Sequence, residues 1–354
     1  ARQPSAQRGG SSMDERLLQA VGGDEAYLVG GAVRDELLGR PVVDVDVACP
    51  APAEAARSYA GLTGGAVFPL SDRHGAWRVA FRDGRTVDFT PLPDGIEADL
   101  GTRDFTINAI AIPLAGGEPV DPLGGRADLE ARVLRAVSPE IFVDDPVRLL
   151  RAARLEDELG ARLDPETERV ARSHAELVAT PAGERILGEL VRLSLAGFKR
   201  LDDLGLLAPL GGSLAKLERA EGVDTQGFAL VCAFGPALEG YPVSNRLRRQ
   251  ARTVLRAERP PDGSARSLHR FRRATEPWSL EALAYLGAND LMAALEESRA
   301  SDPPEPLLRG DELGLAPGPD VGRLLALIAE ERAAGTISTR EDALELVRRE
   351  LGGG

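Results

Sequence analysis

Histidine, cysteine, lysine and aromatic residues are all scarce in this 354-residue sequence. The three histidines are scattered and none belongs to a His-Asp pair, which argues against a phosphohydrolase metal site built from histidines. The two cysteines, Cys49 and Cys232, lack metal-ligand spacing, and no signal-like segment precedes the first predicted element. We therefore expect a reduced, cytoplasmic setting.

Long apolar runs are missing too. No stretch reaches the roughly 20 apolar residues that a membrane-spanning helix needs, so we expect no membrane association. Residues 1–12 are polar and rich in Gly and Ser, which predicts disorder. The remaining length is sufficient for two or three domains.

Positive charge is in the minority and is almost entirely arginine. The net charge of −13 argues against a general nucleic-acid coat, and lysine occurs only at Lys199 and Lys216. Residues 245–273 nevertheless hold ten arginines against two acidic residues. This segment either follows an RNA backbone, through residues 245–250 and 267–273, or forms an ordinary basic helix surface.

The most informative stretch is residues 27–47, with the sequence YLVGGAVRDELLGRPVVDVDV. A short apolar strand leads into Gly30-Gly31, and the apolar spacing that follows predicts a helix. Valine and aspartate then alternate over Val43–Val47, which predicts a second strand with its carboxylates on one face.

Asp44 and Asp46 occupy neighbouring positions on that face, where two like charges repel unless a cation lies between them. Gly30 and Gly31 permit close approach of a ligand and precede a helix N-terminus, which favours phosphate. Taken singly, these features are commonly an ordinary turn and a solvated strand. Their order and spacing together predict a triphosphate-binding turn beside a divalent-metal site.

Further along, residues 77–81 and 86–89 are predicted strands joined by a turn. Asp88, on the second strand, is either a third metal-binding carboxylate or an ordinary exposed strand residue. Residues 133–137 predict another short strand. From about Ser138 the pattern is helical almost to the end, so we expect an α+β head followed by an all-helical remainder.

The segment DDPVRLLRAARL at Asp144–Leu155 predicts a helix that begins with two aspartates and a proline. Arg148, Arg151 and Arg154 recur every third residue and are expected on one face with Asp145. Such a face is either merely solvated, or it holds a triphosphate and reads a base edge. Arginine donates to acceptors such as cytosine O2 and N3, and aspartate accepts from an amine such as cytosine N4.

These segments resemble the class II tRNA nucleotidyltransferase and bacterial poly(A) polymerase family, whose head is a polymerase-β-like nucleotidyltransferase fold. The likeness covers about residues 27–210 and rests on LVGGAVRDELLGRPVVDVDVA, RDFTINAIAI, DPLGGRADLEARVLRAV, DDPVRLLRAARL and ERILGELVRL. It implies that Asp44 and Asp46 are the catalytic carboxylates and bind magnesium, and that Asp145 and Arg148 read the base. It also implies further nucleotide contacts from Gly30, Gly31, Arg34, Arg103, Arg151 and Arg154.

The resemblance implies four parts: an N-terminal extension with a short helix (1–24), the nucleotidyltransferase head (25–138), a helical neck with the base-reading helix (139–212) and an RNA-binding helical body and tail (213–354). The implied reaction extends the 3′ end of tRNA, bound by its acceptor arm, from CTP and ATP with release of pyrophosphate.

Three departures from the family pattern leave the added sequence open. Thr102 stands where the family often has a second arginine, and Asp144 replaces the usual glutamate. The segment Pro91–Ala98 is short, whereas family members that add a full CCA usually have a longer loop here. A CC-only enzyme, a poly(A) polymerase and a non-catalytic tRNA-binding protein therefore remain alternatives, as does a nucleotidyltransferase acting on a small molecule or a protein.

Overall fold

The computed structural model describes residues 12–22, 25–71, 75–223, 227–303 and 305–352. Apart from Ser12, the segment expected to be disordered lies outside these residues. The described residues form two compact units. The first runs to Ala182 and includes Asp203–Pro209, and the second comprises Gly183–Asp202 and the residues from Leu210 onward.

The first unit combines a sheet with short helices. Its elements in chain order are α1 (Ser12–Ala20), β1 (Tyr27–Val29), α2 (Gly31–Leu37), β2 (Asp44–Cys49), α3 (Pro52–Thr63), β3 (Ala66–Ser71), β4 (Ala76–Ala80), β5 (Thr86–Pro91), α4 (Ile96–Gly101), β6 (Ala111–Pro113), α5 (Gly125–Ala131), β7 (Val133–Leu134), α6 (Ile141–Asp144), α7 (Val147–Leu159), β8 (Arg162–Leu163) and α8 (Pro165–Ser173). Short 3₁₀ helices lie at Thr106–Asn108 and Ala175–Ala179.

Six strands form one mixed sheet in the order β3-β4-β5-β2-β1-β6. β2 and β5 are parallel and the other neighbours are antiparallel. The predicted pairing of strands near residues 77–81 and 86–89 is confirmed as β4 and β5. Val45 and Val47 of β2 are buried, as the alternation predicted, but Val43 lies outside the strand and is 55% exposed. Its assignment to the strand was wrong because the pairing with β5 begins only at Asp44.

Two apolar clusters fix the sheet and the elements around it. In one, Tyr59 of α3 contacts Phe89 of β5, with ring centroids 5.8 Å apart. In the other, Ile96 and Leu100 of α4 are buried among residues of β1, β2 and β6. The short segment between β5 and Arg103 is therefore largely a packed helix and not an open loop.

The expectation of an all-helical remainder is wrong at β8. Arg162 and Leu163 pair in parallel with Val133 and Leu134 of β7. The Glu156 side chain also accepts a hydrogen bond from the Leu163 backbone N–H (2.7 Å). A strand of two residues is too short to show the two-residue alternation of a strand in the sequence. The predicted strand 133–137 is reduced to Val133–Leu134, because only these two residues pair with β8.

The predicted helix Asp144–Leu155 is interrupted at its start. Asp145 adopts an extended conformation (φ −147°, ψ 92°) between α6 and α7. Steric conflict with the ring of Pro146 disfavours a helical conformation at the preceding residue. Asp145 therefore precedes the arginine-bearing helix and does not continue its face.

The second unit is helical. Its helices are α9 (Gly183–Leu190), α10 (Leu195–Asp203), α11 (Phe228–Phe234), α12 (Asn245–Arg256), α13 (Ala265–Thr275), α14 (Ser279–Leu286), α15 (Met292–Ala300), α16 (Pro319–Ala333) and α17 (Arg340–Gly352). Short 3₁₀ helices lie at Leu217–Ala220, Gly235–Gly240, Asn289–Leu291 and Gly310–Leu313, and a further one, Ala208–Leu210, spans the boundary between the two units along the chain. Ser244 and Ser264 cap the basic helices α12 and α13 through hydrogen bonds to backbone N–H groups. Among the described residues, no helix is both long enough and apolar enough to cross a bilayer.

Candidate functional site

The predicted site is centred on Gly30, which lies close to Asp46 and Arg103. Gly30 precedes α2 with φ 72° and ψ −144°, a conformation that glycine adopts far more readily than other residues. A Cβ placed on Gly30 would lie 3.0 Å from Asp46 Oδ2 and 3.4 Å from Arg103 Nη1. Two predicted site residues that are distant from Gly30 in sequence, Asp46 and Arg103, therefore both lie close to it in the structure. A Cβ on Gly31 would contact Arg34 Nη2 at 3.4 Å.

Asp44 and Asp46 lie on the same side of β2, as the strand alternation predicted. Asp44 is exposed and accepts a hydrogen bond from Thr86 Oγ1 (2.8 Å), whereas Asp46 is half-buried. Burial raises the pKa of Asp46, and the charges of Asp88 and Asp44 raise it further, while Arg103 counters this effect. Asp46 is thus a carboxylate held in an unfavourable environment, which a bound cation would relieve.

Asp88 lies next to Asp46 across the parallel strand pair, but it already has a cationic partner. Arg78 donates to both of its carboxylate oxygens at 2.7 Å. Among the described residues, no group of three or more His, Cys, Asp or Glu side chains is arranged to hold a metal ion. In this structure Asp88 is an ion-paired strand residue, and its role as a third metal ligand stays a prediction.

The pair Asp44 and Asp46 suits a divalent ion that is completed by a substrate. Magnesium-type sites commonly use one or two carboxylates together with water and substrate phosphates, and do not need a complete protein cage. The raised pKa of Asp46 and its position against Gly30 fit such an arrangement. These two residues would hold the ion on the side of the glycine turn.

Arg103 is positioned by the helix that precedes it. Its Nε and Nη2 donate to Asp99 Oδ2 of α4 at 3.1 and 2.6 Å. Its Nη1 is the atom that lies against Gly30. One step earlier in the chain, the Thr102 carbonyl accepts a hydrogen bond from Arg148 Nη2 (2.9 Å). The turn after α4 thus carries one predicted nucleotide contact, Arg103, and contacts a predicted base-reading residue, Arg148.

A buried polar network connects α2 to α7. Arg34 is 6% exposed; it donates through Nε and Nη2 to Asp35 (3.0 and 2.9 Å) and through Nη1 to Asn108 Oδ1 (2.8 Å). The Asn108 amide in turn donates to Asp104 Oδ1 (2.9 Å), and Asp104 Oδ2 lies 2.7 Å from Arg151 Nε. Two predicted nucleotide contacts, Arg34 and Arg151, are therefore joined through side chains of the RDFTINA segment.

The arginines of α7 do not share one face. The Arg151 side chain is 40% exposed, whereas Arg154 is buried and paired with Glu158. The helix turns by about 100° per residue, so a spacing of three loses roughly 60° at each step, and Arg154 faces about 120° away from Arg148. The expected single stripe of Asp145, Arg148, Arg151 and Arg154 is thus wrong.

The ten arginines of residues 245–273 divide into two groups. Six of them have partners, including Arg272, which is buried and paired with Asp302. The other four are exposed and have no partner among the described residues: Arg246, Arg249, Arg256 and Arg273. A groove of about 600 Å³ between α12 and α13 is lined by Arg252, Arg256, Arg259 and Arg270. The six paired arginines are therefore part of the helical surface and its ion pairs, whereas contact of the four exposed arginines with RNA stays a prediction.

Sequence reasoning missed the residues that orient the site arginines: Asp35, Asp99, Asp104 and Asn108. Asp104 and Asn108 were visible within the RDFTINA segment, and Asp99 precedes Arg103 by four residues, the spacing of a helical ion pair. The flanking prolines and glycines indicated a loop around Asp99. The four-residue spacing therefore did not predict an ion pair.

Several known proteins resemble this chain over most of its length. The family model described as the Poly A polymerase head domain matches residues 26–92 and 73–135. The chain is 35% identical to the A-adding tRNA nucleotidyltransferase of Deinococcus radiodurans, over 92% of the chain and 95% of that protein. It is 30% identical to the CC-adding tRNA nucleotidyltransferase of Thermus thermophilus, over 90% and 92%.

Solved structures share the fold. A CCA-adding enzyme in complex with CTP superposes with a TM-score of 0.77 at 23% identity, covering 95% of this chain and 94% of the other. The Thermotoga maritima CCA-adding enzyme complexed with tRNA gives a TM-score of 0.75 at 24% identity, with the same two coverages. The expected nucleotidyltransferase head followed by a helical remainder is confirmed at the level of the fold, with the exception of β8.

Proposed function

This chain belongs to the class II tRNA nucleotidyltransferase and poly(A) polymerase family, and from that membership we propose that it extends the 3′ end of tRNA with nucleotides from CTP, ATP or both, releasing pyrophosphate. The observation that carries the proposal is the meeting of Gly30, Asp46 and Arg103 at one point of the head. In this arrangement a carboxylate able to hold a metal ion lies beside a cation able to hold phosphate, and both are required for binding a nucleoside triphosphate.

In the proposed reaction Asp44 and Asp46 hold magnesium. The ion, when bound, lowers the pKa of the attacking 3′-hydroxyl and stabilises charge on the phosphates. Gly30 and Gly31 leave room for the triphosphate, and Arg103 Nη1 points toward that space. Arg151 is partly exposed and would reach the phosphates from α7. We retain Arg34 and Arg154 as proposed contacts, which requires them to exchange some of their protein partners for phosphate.

Base choice is proposed to rest on Asp145 and Arg148. Asp145 lies in the extended link before α7 and Arg148 in its first turn, so their spacing is set by the break at Pro146. A bidentate contact of this kind supplies about 1–3 kcal/mol of discrimination between bases. The hydrogen bond from Arg148 to the Thr102 carbonyl limits the orientations that its guanidinium adopts.

The proposed partner, tRNA, would be bound by the helical part of the chain. We retain the division into an N-terminal extension (1–24), head (25–138), neck (139–212), and body and tail (213–354). The exposed, unpaired arginines of α12 and α13 supply phosphate contacts without reading RNA sequence, and the acceptor arm would be recognised by shape. Both cysteines are buried and unbridged, which fits the reducing cytoplasm that we propose as the location.

The added sequence is the part of the proposal that needs experiment. Full-length relatives include an A-adding and a CC-adding enzyme, so addition of A alone is a candidate beside CC and CCA. The test uses tRNA lacking its CCA end and tRNA ending in CC, each with CTP, ATP or both, and reads product length by gel. Two added cytidines on the first substrate identify a CC-adding enzyme, and one adenosine on the second identifies an A-adding enzyme. Both activities indicate CCA addition, and a long adenosine tail indicates a poly(A) polymerase.

The same assay contradicts the proposal if no substrate is extended. Asp44→Ala is the matched negative control, because it removes an exposed carboxylate with a single side-chain partner. Binding of labelled tRNA without extension would favour a non-catalytic tRNA-binding protein. Absence of tRNA binding together with NTP turnover on another acceptor would favour a small-molecule or protein substrate.

A further inference from the structure

Helix α4 holds a carboxylate at a fixed place beside the nucleotide site. Ile96 and Leu100 anchor this six-residue helix in the cluster formed by β1, β2 and β6. Asp99 lies between these anchors along the helix, with a side chain that is 21% exposed. The backbone on which Asp99 is mounted is therefore held by core packing and not by its own ion pair.

The contact between Asp99 and Arg103 occupies only part of the guanidinium. One carboxylate oxygen, Oδ2, accepts from both Nε and Nη2. Arginine has five N–H donors in a rigid planar arrangement, so fixing these two atoms also fixes the direction of Nη1. Nη1 is the atom that lies close to Gly30, 3.4 Å from the position of a Cβ placed there.

Arg103 also has a second carboxylate within reach. Asp46 Oδ2 and Arg103 Nη1 both lie within contact distance of the same point on Gly30, at 3.0 and 3.4 Å from a Cβ placed there. If its Nε edge were not held, the guanidinium would be free to turn toward Asp46, because the two groups carry opposite charges. The cation would then occupy both the phosphate-binding space and a metal-binding oxygen.

We propose that Asp99 is a positioning residue for nucleotide binding: it holds Arg103 by its Nε edge, so that Nη1 remains directed at a triphosphate oxygen and away from Asp46. The inference rests on the proposed function, since it assumes that a triphosphate binds beside Gly30. Asp99 itself contacts neither the substrate nor the reacting atoms.

The test compares Asp99→Ala with Glu97→Ala, which removes a carboxylate from the same helix at an exposed position with no partner among the described residues. Binding of CTP, ATP and inorganic tripolyphosphate is measured by calorimetry without divalent ions. We expect Asp99→Ala to weaken all three by about 3- to 10-fold, the range for losing one ordinary hydrogen bond and less than for losing a charge-assisted one, because Arg103 itself remains in place. Glu97→Ala should leave binding of all three unchanged.

Arg103→Ala and the double variant decide whether Asp99 acts through Arg103. In the Arg103→Ala background, Asp99→Ala should cause no further loss, whereas a general structural role would add its full effect. In steady-state assays the KM for CTP and ATP should rise equally, because the phosphates are common to both. Additive losses, or an Asp99→Ala variant that behaves like Glu97→Ala, would overturn the inference. Failure of the wild-type protein to bind any of the three probes would instead contradict the proposed function, and the inference with it.

Discussion

Replacing Gly30 with alanine tests the geometry of the site most directly. The backbone at Gly30 has φ 72° and ψ −144°, and forcing a residue with a Cβ into such a region costs about 1–3 kcal/mol. The new methyl group would also lie 3.0 Å from Asp46 Oδ2 and 3.4 Å from Arg103 Nη1. Asp46 Oδ2 has to shift by a few tenths of an ångström, whereas Arg103 Nη1 is at ordinary contact distance. Because a misplacement of about 1 Å at reacting groups lowers rates by about 100-fold, we expect this smaller shift to lower kcat/KM by less than that, on the order of several-fold.

Gly39→Ala is the matched control for the backbone cost. Gly39 also has a positive φ (67°), but a Cβ there meets nothing within 4 Å. Urea unfolding should therefore show that both variants lose stability to a similar extent, and primer-extension kinetics should show that only Gly30→Ala loses kcat/KM. If Gly30→Ala retained wild-type kcat/KM while losing stability, the convergence of Gly30, Asp46 and Arg103 would not be the nucleotide site.

Three further predictions concern the base, the RNA and the fold. Arg148→Ala should relax the choice between CTP and ATP by about 10-fold or more while tRNA affinity stays constant, and a larger effect on tRNA affinity would remove its base-reading role. Arg256→Ala should weaken tRNA binding and leave NTP binding unchanged. The slope of log affinity for tRNA against log salt concentration should become shallower by about 1, because one fewer counterion is released, and an unaltered slope would contradict the RNA contact. The pKa of Glu331 is lowered to about 2, chiefly by the hydrogen bond from Arg266 and then by that from Thr336. The folded pKa lies below the ordinary value of 4.5, so this contribution to stability is complete above that pH and is lost as pH falls toward 2. Glu331→Gln should accordingly lower the urea midpoint at pH 7, and its difference from wild type should shrink as pH falls below 4.5; a difference independent of pH would contradict the ion pair.

The order and spacing of residues within single segments were sufficient to predict several elements of the head. The alternation around Asp44 and Asp46 predicts β2 because a strand repeats every two residues, and the glycine pair before α2 marks a turn for the same local reason. Spacing within a segment failed to predict the secondary structure where a contact between distant segments decides the conformation. The two-residue strands β7 and β8 exist only because they pair with each other, and α4 is stable because Ile96 and Leu100 are buried.

The sequence by itself determined which residue types are available for the chemistry: two carboxylates one residue apart, a glycine turn and a series of arginines. Only the tertiary structure decided which of them meet and in which state. It places Arg103 against Gly30, engages Asp88 with Arg78, and buries Arg154 beside Glu158. The physical reason is that spacing along a helix gives only the relative directions of its side chains. Long-range packing decides which partners each of those directions meets, and the spacing of residues along one segment does not encode that packing.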